Sequence, residues 1–253
     1  MRLVSWNVAG RLKRQPEQAA AVLSTAPDVV ALQEVTVNSL PLWREALGEA
    51  GLEWSVTPLD EAVPPKPRRL AVLTAAREAG AVRALAGLPW PERAVSAEVG
   101  GIELLNVHSP ISPSPNLAKV LTHEALYAYA RDREGPIAIC GDLNTPRRTL
   151  EDGTVLTFAH TSRGNLRPER GERWNAAESA LVYTLRAEHG WEDAFLDRPE
   201  RTWTFANDRG GWRLDHLLTR DVDVVARAYA HEWRRSGLSD HSAIVAELSP
   251  RRG

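Results

Sequence analysis

Arg2-Leu3-Val4-Ser5-Trp6-Asn7, a short β-branched and aromatic run, is followed by the helix-like stretch Pro16 to Ala26 and then by Asp28-Val29-Val30-Ala31-Leu32-Gln33-Glu34-Val35. The pattern reads strand, helix, strand. A crossover of that length joins parallel strands, so Asn7 and Glu34, at the two strand ends, are expected at the same edge of one sheet. The order returns with Ile102 to His108, the helical stretch Asn116 to Arg131, and Pro136 to Asp142. Polar residues again close both strands.

Between these units, Leu52 to Thr57, Arg69 to Thr74, Ala81 to Ala86 and Arg93 to Val99 read as short strands, and Gly100-Gly101 signals a hairpin with antiparallel pairing. An Arg- and Gly-rich loop is expected from Pro146 to Trp174, then a helix opened by Asn175 with Glu178 three residues on and closed by Gly190. Strands Thr202 to Phe205, Trp212 to Thr219, Val222 to Tyr229 and Ser242 to Leu248 complete the set, the first two flanking the turn-rich Asn207-Asp208-Arg209-Gly210-Gly211. Strands in both halves with helices as crossovers favour an α/β fold of two packed mixed β-sheets with helices outside. No Pro/Ser-rich linker divides the chain, so a single domain is expected over residues 1–253.

Apolar residues make up 43% and charged residues 25%, which excludes a disordered chain and fits a globular one. No run approaches the length of a membrane span, and the N-terminus lacks the apolar core of a signal peptide. The lone Cys140, inside an apolar run, cannot pair internally and reads as a small buried hydrophobe, so a cytoplasmic protein is expected. With a net charge of −2 there is no global basic footprint for nucleic acid. Lys13, Lys66 and Lys119 are the lysines among 31 basic residues, so the other 28 are Arg. Arginine can hold phosphate bidentately, and biased genomic base composition would give the same excess.

Ile139-Cys140-Gly141-Asp142-Leu143-Asn144-Thr145-Pro146 ends an apolar strand with a carboxylate and an amide two residues apart, on one face of the chain. Hydrolysis of a phosphodiester needs a group that takes a proton from water and another that fixes the water or the phosphate. Asp142 and Asn144 suit those tasks, although an Asp/Asn turn after a strand has the same residues. Gly237-Leu238-Ser239-Asp240-His241-Ser242 sets an acid beside a histidine, and Gly211-Trp212-Arg213-Leu214-Asp215-His216 supplies a further carboxylate that could orient His241. Mg²⁺ takes one or two protein carboxylates and keeps water and phosphate in its other positions, a pattern that Glu34 and Asp240 suit, with Asn7 orienting the site. Mn²⁺ is a plausible substitute. No Cys/His cluster has the ligand spacing of a zinc site.

Ser5-Trp6-Asn7-Val8-Ala9-Gly10, Leu32-Gln33-Glu34, Gly141-Asp142-Leu143-Asn144, Trp212-Arg213-Leu214-Asp215 and Ser239-Asp240-His241 together resemble the ordered motifs of the endonuclease/exonuclease/phosphatase superfamily. The resemblance implies a four-layer sandwich, metal bound by Glu34 and Asp240, Asp142 acting on the attacking water, and Asn144 positioning water or phosphate. It also implies that Asp215 and His241 stabilise the developing charge. The first and fourth motifs look most like the exonuclease III and abasic-site endonuclease branch, by which likeness Trp212 and Phe205 would border a pocket for an extrahelical sugar. One segment departs from that branch. Leu105-Asn106-Val107-His108-Ser109-Pro110 carries a histidine where those enzymes have a tyrosine, more like deoxyribonuclease I and several phosphatases. His108 could protonate the leaving oxygen, contact phosphate, or simply be structural.

These readings lead to a Mg²⁺-dependent DNA nuclease, in repair or nucleotide salvage. Two rivals stand beside it: the same machinery acting on a small or lipid phosphoester, and a non-catalytic binding module. Arg147, Arg148, Arg163, Arg167, Arg170 and Arg173 follow the Asp142 strand and could track a nucleic-acid backbone; a solvated loop is the plainer alternative.

Overall fold

The computed structural model describes residues 1–60, 70–197, 203–207 and 210–251. Its strands, in chain order, are β1 (Arg2–Asn7), β2 (Val29–Val35), β3 (Trp54–Val56), β4 (Ala71–Ala76), β5 (Val82–Arg83), β6 (Ala94–Val99), β7 (Ile102–His108) and β8 (Ile137–Asp142). After them come β9 (Arg148–Thr149), β10 (Val155–Leu156), β11 (Glu192–Asp193), β12 (Phe205–Asn207), β13 (Gly210–Trp212), β14 (Asp215–Arg220), β15 (Val222–Ala230) and β16 (Ala243–Pro250). The helices are α1 (Gln15–Leu23), α2 (Leu40–Glu49), α3 (Ala118–Arg131), α4 (Gly171–Ser179), α5 (Leu185–Glu188) and α6 (His231–Arg235), with a π turn at Ala180–Thr184 joining α4 to α5.

Two six-stranded mixed sheets carry the fold, ordered β15-β16-β1-β2-β4-β3 and β11-β14-β8-β7-β6-β5. β1 and β2 pair in parallel across α1, and β7 and β8 pair in parallel across α3, as the crossover lengths require. These strands are covered on both faces, so they are apolar nearly throughout instead of alternating with polar positions. Alternate side chains go to different layers. Leu3, Ala31, Leu104, Ala138 and Cys140 meet between the sheets, whereas Val4, Trp6, Val30 and Leu32 pack outward on Val22, Trp43, Leu47 and Trp233 of the helices. On the other outer face, Leu105, Ile137 and Ile139 meet Leu126, Ala130 and Leu185. The result is the expected four-layer sandwich.

Near one edge the inter-sheet layer turns polar and is tied by hydrogen bonds. Gln33 Nε2 donates to Asn106 Oδ1 at 2.8 Å, and Asn106 Nδ2 donates to Leu73 O at 3.0 Å. Gly141 makes this approach possible. Its φ of +127° is open to glycine, and a Cβ there would stand 2.1 Å from Val107 O and 3.0 Å from Gln33 Nε2.

Several sequence expectations are corrected. The helix does not open at Asn175: α4 begins at Gly171, and Glu178 is no capping residue but a fully buried partner of Lys119. The run Trp212 to Thr219 is broken, because β13 ends at Trp212 in a hairpin with β12 and β14 begins at Asp215 in the main sheet. The loop after Asn144 contains the hairpin β9–β10, and α2 lies where no helix was expected. Arg69, Thr202, Asp208 and Arg209 lie outside the described residues. Among the described residues no helix is long and apolar enough to cross a membrane.

Candidate active site

The carboxyl ends of β1, β2, β7 and β8 bring Asn7, Glu34, His108 and Asp142 together. Asn7 Nδ2 donates to Glu34 Oε1 at 3.2 Å and to Asp142 Oδ2 at 3.0 Å. Asn7 Oδ1 accepts from the Ala9 backbone at 2.9 Å, which fixes the orientation of the amide. Glu34 sits at a bulge in the β2–β4 pairing with φ +59°, a conformation a branchless carboxylate tolerates poorly and one that aims it out of the strand. Burial raises its pKa, and Asp240 adds to the effect against Asn7 and His241.

Asp142 is 1% exposed and held through both oxygens. Oδ1 accepts from the Asn144 backbone N–H at 2.9 Å, and Oδ2 from Asn144 Nδ2 at 3.3 Å. Asn144 itself adopts φ +51° and donates through Nδ2 to Ser109 O at 2.8 Å. Burial pushes Asp142 up to about 7, with Asp215 and Glu34 adding repulsion against the attraction of His241.

Antiparallel pairing of β14 with β8 places Asp215 directly opposite Asp142. His241 Nδ1 lies 2.9 Å from Asp215 Oδ2, and His241 Nε2 lies 3.8 Å from Asp142 Oδ2. Burial opposes the charge on His241, yet the carboxylates of Asp215 and Asp142 outweigh it and raise the imidazole to about 10. Its backbone is anchored too, since His241 O accepts from Trp6 Nε1 at 2.9 Å. Ser239 Oγ donates to Asn7 O at 2.6 Å, so the Asp240 loop is stitched to β1.

A cavity of about 330 Å³ opens onto these groups. Glu34, Asp142, Asn144, Asp240 and His241 form its polar end; Phe158, Phe205, Trp212 and Leu214, with Ile111 and Pro113, form its apolar end. Phe205 and Trp212, anticipated from sequence, stack at 6.1 Å with an interplanar angle of 27°, and Phe205 lies 4.9 Å from the His241 ring. Phe158 was not anticipated, because it falls in a loop with no motif.

His108 is placed differently from the others. It is buried behind Glu34, with Nε2 3.4 Å from Glu34 Oε1, and does not line the cavity. Arg93 Nη1 donates to its ring, 2.5 Å from Nδ1 and 3.0 Å from Nε2. Burial, then the charges of Arg93 and His241, hold the imidazole well below its ordinary pKa and therefore neutral. Arg93 was also missed, although a signal existed. The Gly100-Gly101 hairpin pairs Val99 with Ile102 and hence Ala94 with Val107, which brings the preceding residue level with His108. The Arg cluster after β8 is largely engaged within the chain: Arg173 bonds Glu124 at 2.8 Å, Arg147 lies over Phe158, and Arg170 over Trp174.

The donor set suits a hard divalent cation, since Glu34, Asp142, Asp215 and Asp240 all offer oxygens. Among the described residues Asp142, Asp215 and His241 have ligand atoms within 4.8 Å of one another, and Asp215 Oδ1 is buried without a hydrogen-bond partner. Glu34 and Asp240 line the same cavity outside that tight group.

The chain belongs to the Endonuclease/Exonuclease/phosphatase family, whose sequence model matches residues 4–241. That is a family of phosphoester hydrolases, so the chain is an enzyme and the non-catalytic reading falls away. Its fold is similar to that of an AP endonuclease from Archaeoglobus fulgidus, with a TM-score of 0.74 at 20% identity over 98% of this chain and 99% of the other. It is also similar to the 3'-5' exonuclease NExo from Neisseria meningitidis, with a TM-score of 0.71 at 20% identity over 98% and 100% of the two chains. A 3' phosphatase NExo from Neisseria bound to product DNA hairpin gives 0.72 at 21% identity over 98% and 99%. No curated protein matches the sequence.

Proposed function

We propose that the chain is a Mg²⁺-dependent phosphodiesterase that cuts DNA, with duplex containing an abasic site as its preferred substrate. One observation carries the reading: Asp142, the His241 that Asp215 orients, and an apolar aromatic wall line a single cavity. A carboxylate raised to about 7 can take a proton from water near neutral pH, which is the work of a general base. Asn7 and Asn144 hold that carboxylate in place, and Asn144 borders the space for water or phosphate.

His241 works in its charged form. Nδ1 donates to Asp215, leaving Nε2–H to meet the oxygen on which negative charge builds. Because that nitrogen carries a proton, His241 is a poor metal ligand. Glu34 and Asp240 are better placed to hold the ion, with Asn7 orienting Glu34. Bound there, Mg²⁺ would neutralise phosphate charge and polarise the phosphoryl oxygen, and Mn²⁺ is expected to replace it. His108, neutral and behind Glu34, serves as a positioning group for that carboxylate and not as the acid for the leaving oxygen.

At the other end of the cavity, Phe205, Trp212 and Leu214 offer an apolar surface to a sugar without its base. Unstacking a nucleotide costs a few kcal/mol, least where the base is already missing, so such a wall selects damaged sites by energy as well as shape. The similar folds include an AP endonuclease and a phosphatase bound to a DNA hairpin, which supports DNA as substrate. Hydrolysis of a small or lipid phosphoester is the second reading, favoured by the internal engagement of the arginines beside the site. The deciding measurement compares kcat/KM in Mg²⁺ on matched duplexes with and without one abasic analogue, alongside a soluble phosphomonoester and a lipid head group. Equal cleavage of both duplexes removes the abasic preference; rapid turnover of a small phosphoester with no DNA cleavage establishes the second reading.

A further inference from the structure

Beneath the catalytic loop lies a buried ion pair that neither the motifs nor the proposed chemistry accounts for. Lys119 of α3 and Glu178 of α4 both have fully buried side chains, with Nζ 2.8 Å from Oε1. The other ammonium donors go to Asn144 O at 2.7 Å and Ser112 Oγ at 3.4 Å. Glu178 is equally engaged: Oε1 accepts from Trp174 Nε1 at 2.6 Å, and Oε2 accepts from Thr145 Oγ1 at 3.0 Å and from the Phe158 backbone N–H at 2.7 Å. Lys119 Nζ also stands 5.1 Å from the centre of the Phe158 ring.

Two buried charges are seldom kept for stability alone, because well-packed apolar residues of similar size do as well or better. What distinguishes this pair is what it holds. Through one ammonium and one carboxylate it grips Asn144, at the polar end of the cavity, the buried Thr145 that follows it, and Phe158 and Ser112, which line the cavity elsewhere. Asn144 takes φ +51°, a left-handed turn that asparagine adopts more readily than most side chains, and the pair holds both its carbonyl oxygen and the Thr145 hydroxyl that follows it.

We propose that Lys119 and Glu178 are positioning residues for catalysis: a buried clamp that fixes the Asn144 turn relative to the Phe158 wall. The clamp rests on the reading of Asp142 and Asn144 as catalytic. It sets the distance between the group that manages the attacking water and the wall that seats the sugar, so loosening it lowers turnover even in a well-folded enzyme.

The test uses the full chain and three variants, Lys119→Met, Glu178→Gln and the double variant, assayed with Mg²⁺ on a duplex carrying one tetrahydrofuran abasic analogue and on bis(4-nitrophenyl) phosphate. Each single variant leaves an unpaired buried charge and should lose Tm; the double variant, with both charges gone, should recover most of it. Turnover should not follow. In the double variant Asn144 O still lacks its ammonium donor, so kcat is expected to stay 10- to 100-fold below the parent while KM changes less than threefold. Glu103→Gln, which disturbs a largely buried hydrogen-bond cluster at the far end of β7, serves as a control for lost stability and should keep parental kcat. Recovery of kcat together with Tm in the double variant would overturn the clamp, as would parental kcat in a folded Lys119→Met. If a single variant does not fold, the double variant still decides. Failure of the underlying reading is separate: it appears as near-normal turnover in Asp142→Asn.

Discussion

Asp142 receives three hydrogen bonds and is itself buried at the floor of the cavity, so replacing its charge while keeping its shape isolates its chemistry. Asp142→Asn should lower kcat by about 10² to 10⁴, the usual contribution of a general base, with little change in KM. Near-normal turnover in steady-state assays would remove its assignment. Ranking the histidines follows from their partners: His241 is oriented by Asp215 and lines the cavity, whereas His108 is neutral and set back. His241→Ala is therefore expected to cost more in kcat than His108→Ala, whose effect should fall mainly on the metal concentration needed for half activity. A third histidine reports on stability. Burial, aided by the charge of Lys119, lowers His123 from 6.5 to about 4. Between those values the unfolded chain carries a proton that the folded chain refuses, so stability is undiminished above pH 6.5 and falls as pH drops through this window. At about 1.4 kcal/mol per pH unit the loss approaches ~3 kcal/mol. Urea midpoints at pH 7.5 and pH 4.5 should therefore lie closer together in His123→Gln than in the parent; an unchanged gap would mean other groups carry the dependence.

Elements meet closely around β8, and Gly141 is a tight point, pressed against Val107 of the neighbouring parallel strand and Gln33 of the facing sheet. Gly141→Ala combines a backbone conformation closed to side chains with a Cβ 2.1 Å from a carbonyl oxygen, and should destabilise by at least ~2 kcal/mol. Gly135→Ala, at φ +80° with nothing near its Cβ, carries only the conformational part and should cost less by chemical denaturation. Similar losses in the two would show that β7 and β8 can separate freely. The stretch between β13 and β14 is held by Arg213, which bonds Asp193 Oδ1 at 2.9 Å and Oδ2 at 2.6 Å. Asp193→Asn leaves a buried guanidinium without its counter-charge and is expected to cost about 3–5 kcal/mol. Since Arg213 lies between Trp212 and Leu214, KM on the abasic duplex should rise as well. A Tm equal to that of the parent would contradict this role.

For the whole molecule, the balance of charge around the cavity makes the most direct prediction. Glu34, Asp142 and Asp240 face the space a phosphate must enter, with His241 as the cation lining it. Without a divalent ion they repel the substrate, so excess chelator should abolish turnover and added Mg²⁺ or Mn²⁺ should restore it. Full activity in chelator would end the metal-dependent mechanism. The aromatic wall makes the complementary prediction: Trp212→Ala should reduce the ratio of kcat/KM between abasic and intact duplex while leaving hydrolysis of a small phosphodiester nearly unchanged.

The sequence alone determined the layers and most of the polar cluster, because crossover length dictates parallel pairing and parallel pairing delivers strand ends to one edge. Asn7, Glu34, His108 and Asp142 were legible on that basis, and Asp215 and His241 through their motifs. The broken strand at Trp212 and the mistaken helix start at Asn175 were not, since local composition does not reveal where a chain leaves one sheet for another or which acid will be buried. Only the tertiary structure could decide that Glu34 turns out of its strand at a bulge, that Phe158 completes the wall, and that Lys119 meets Glu178 beneath Asn144. Such pairings join residues distant in the chain through burial and side-chain direction, which depend on how the layers stack and carry no local periodicity.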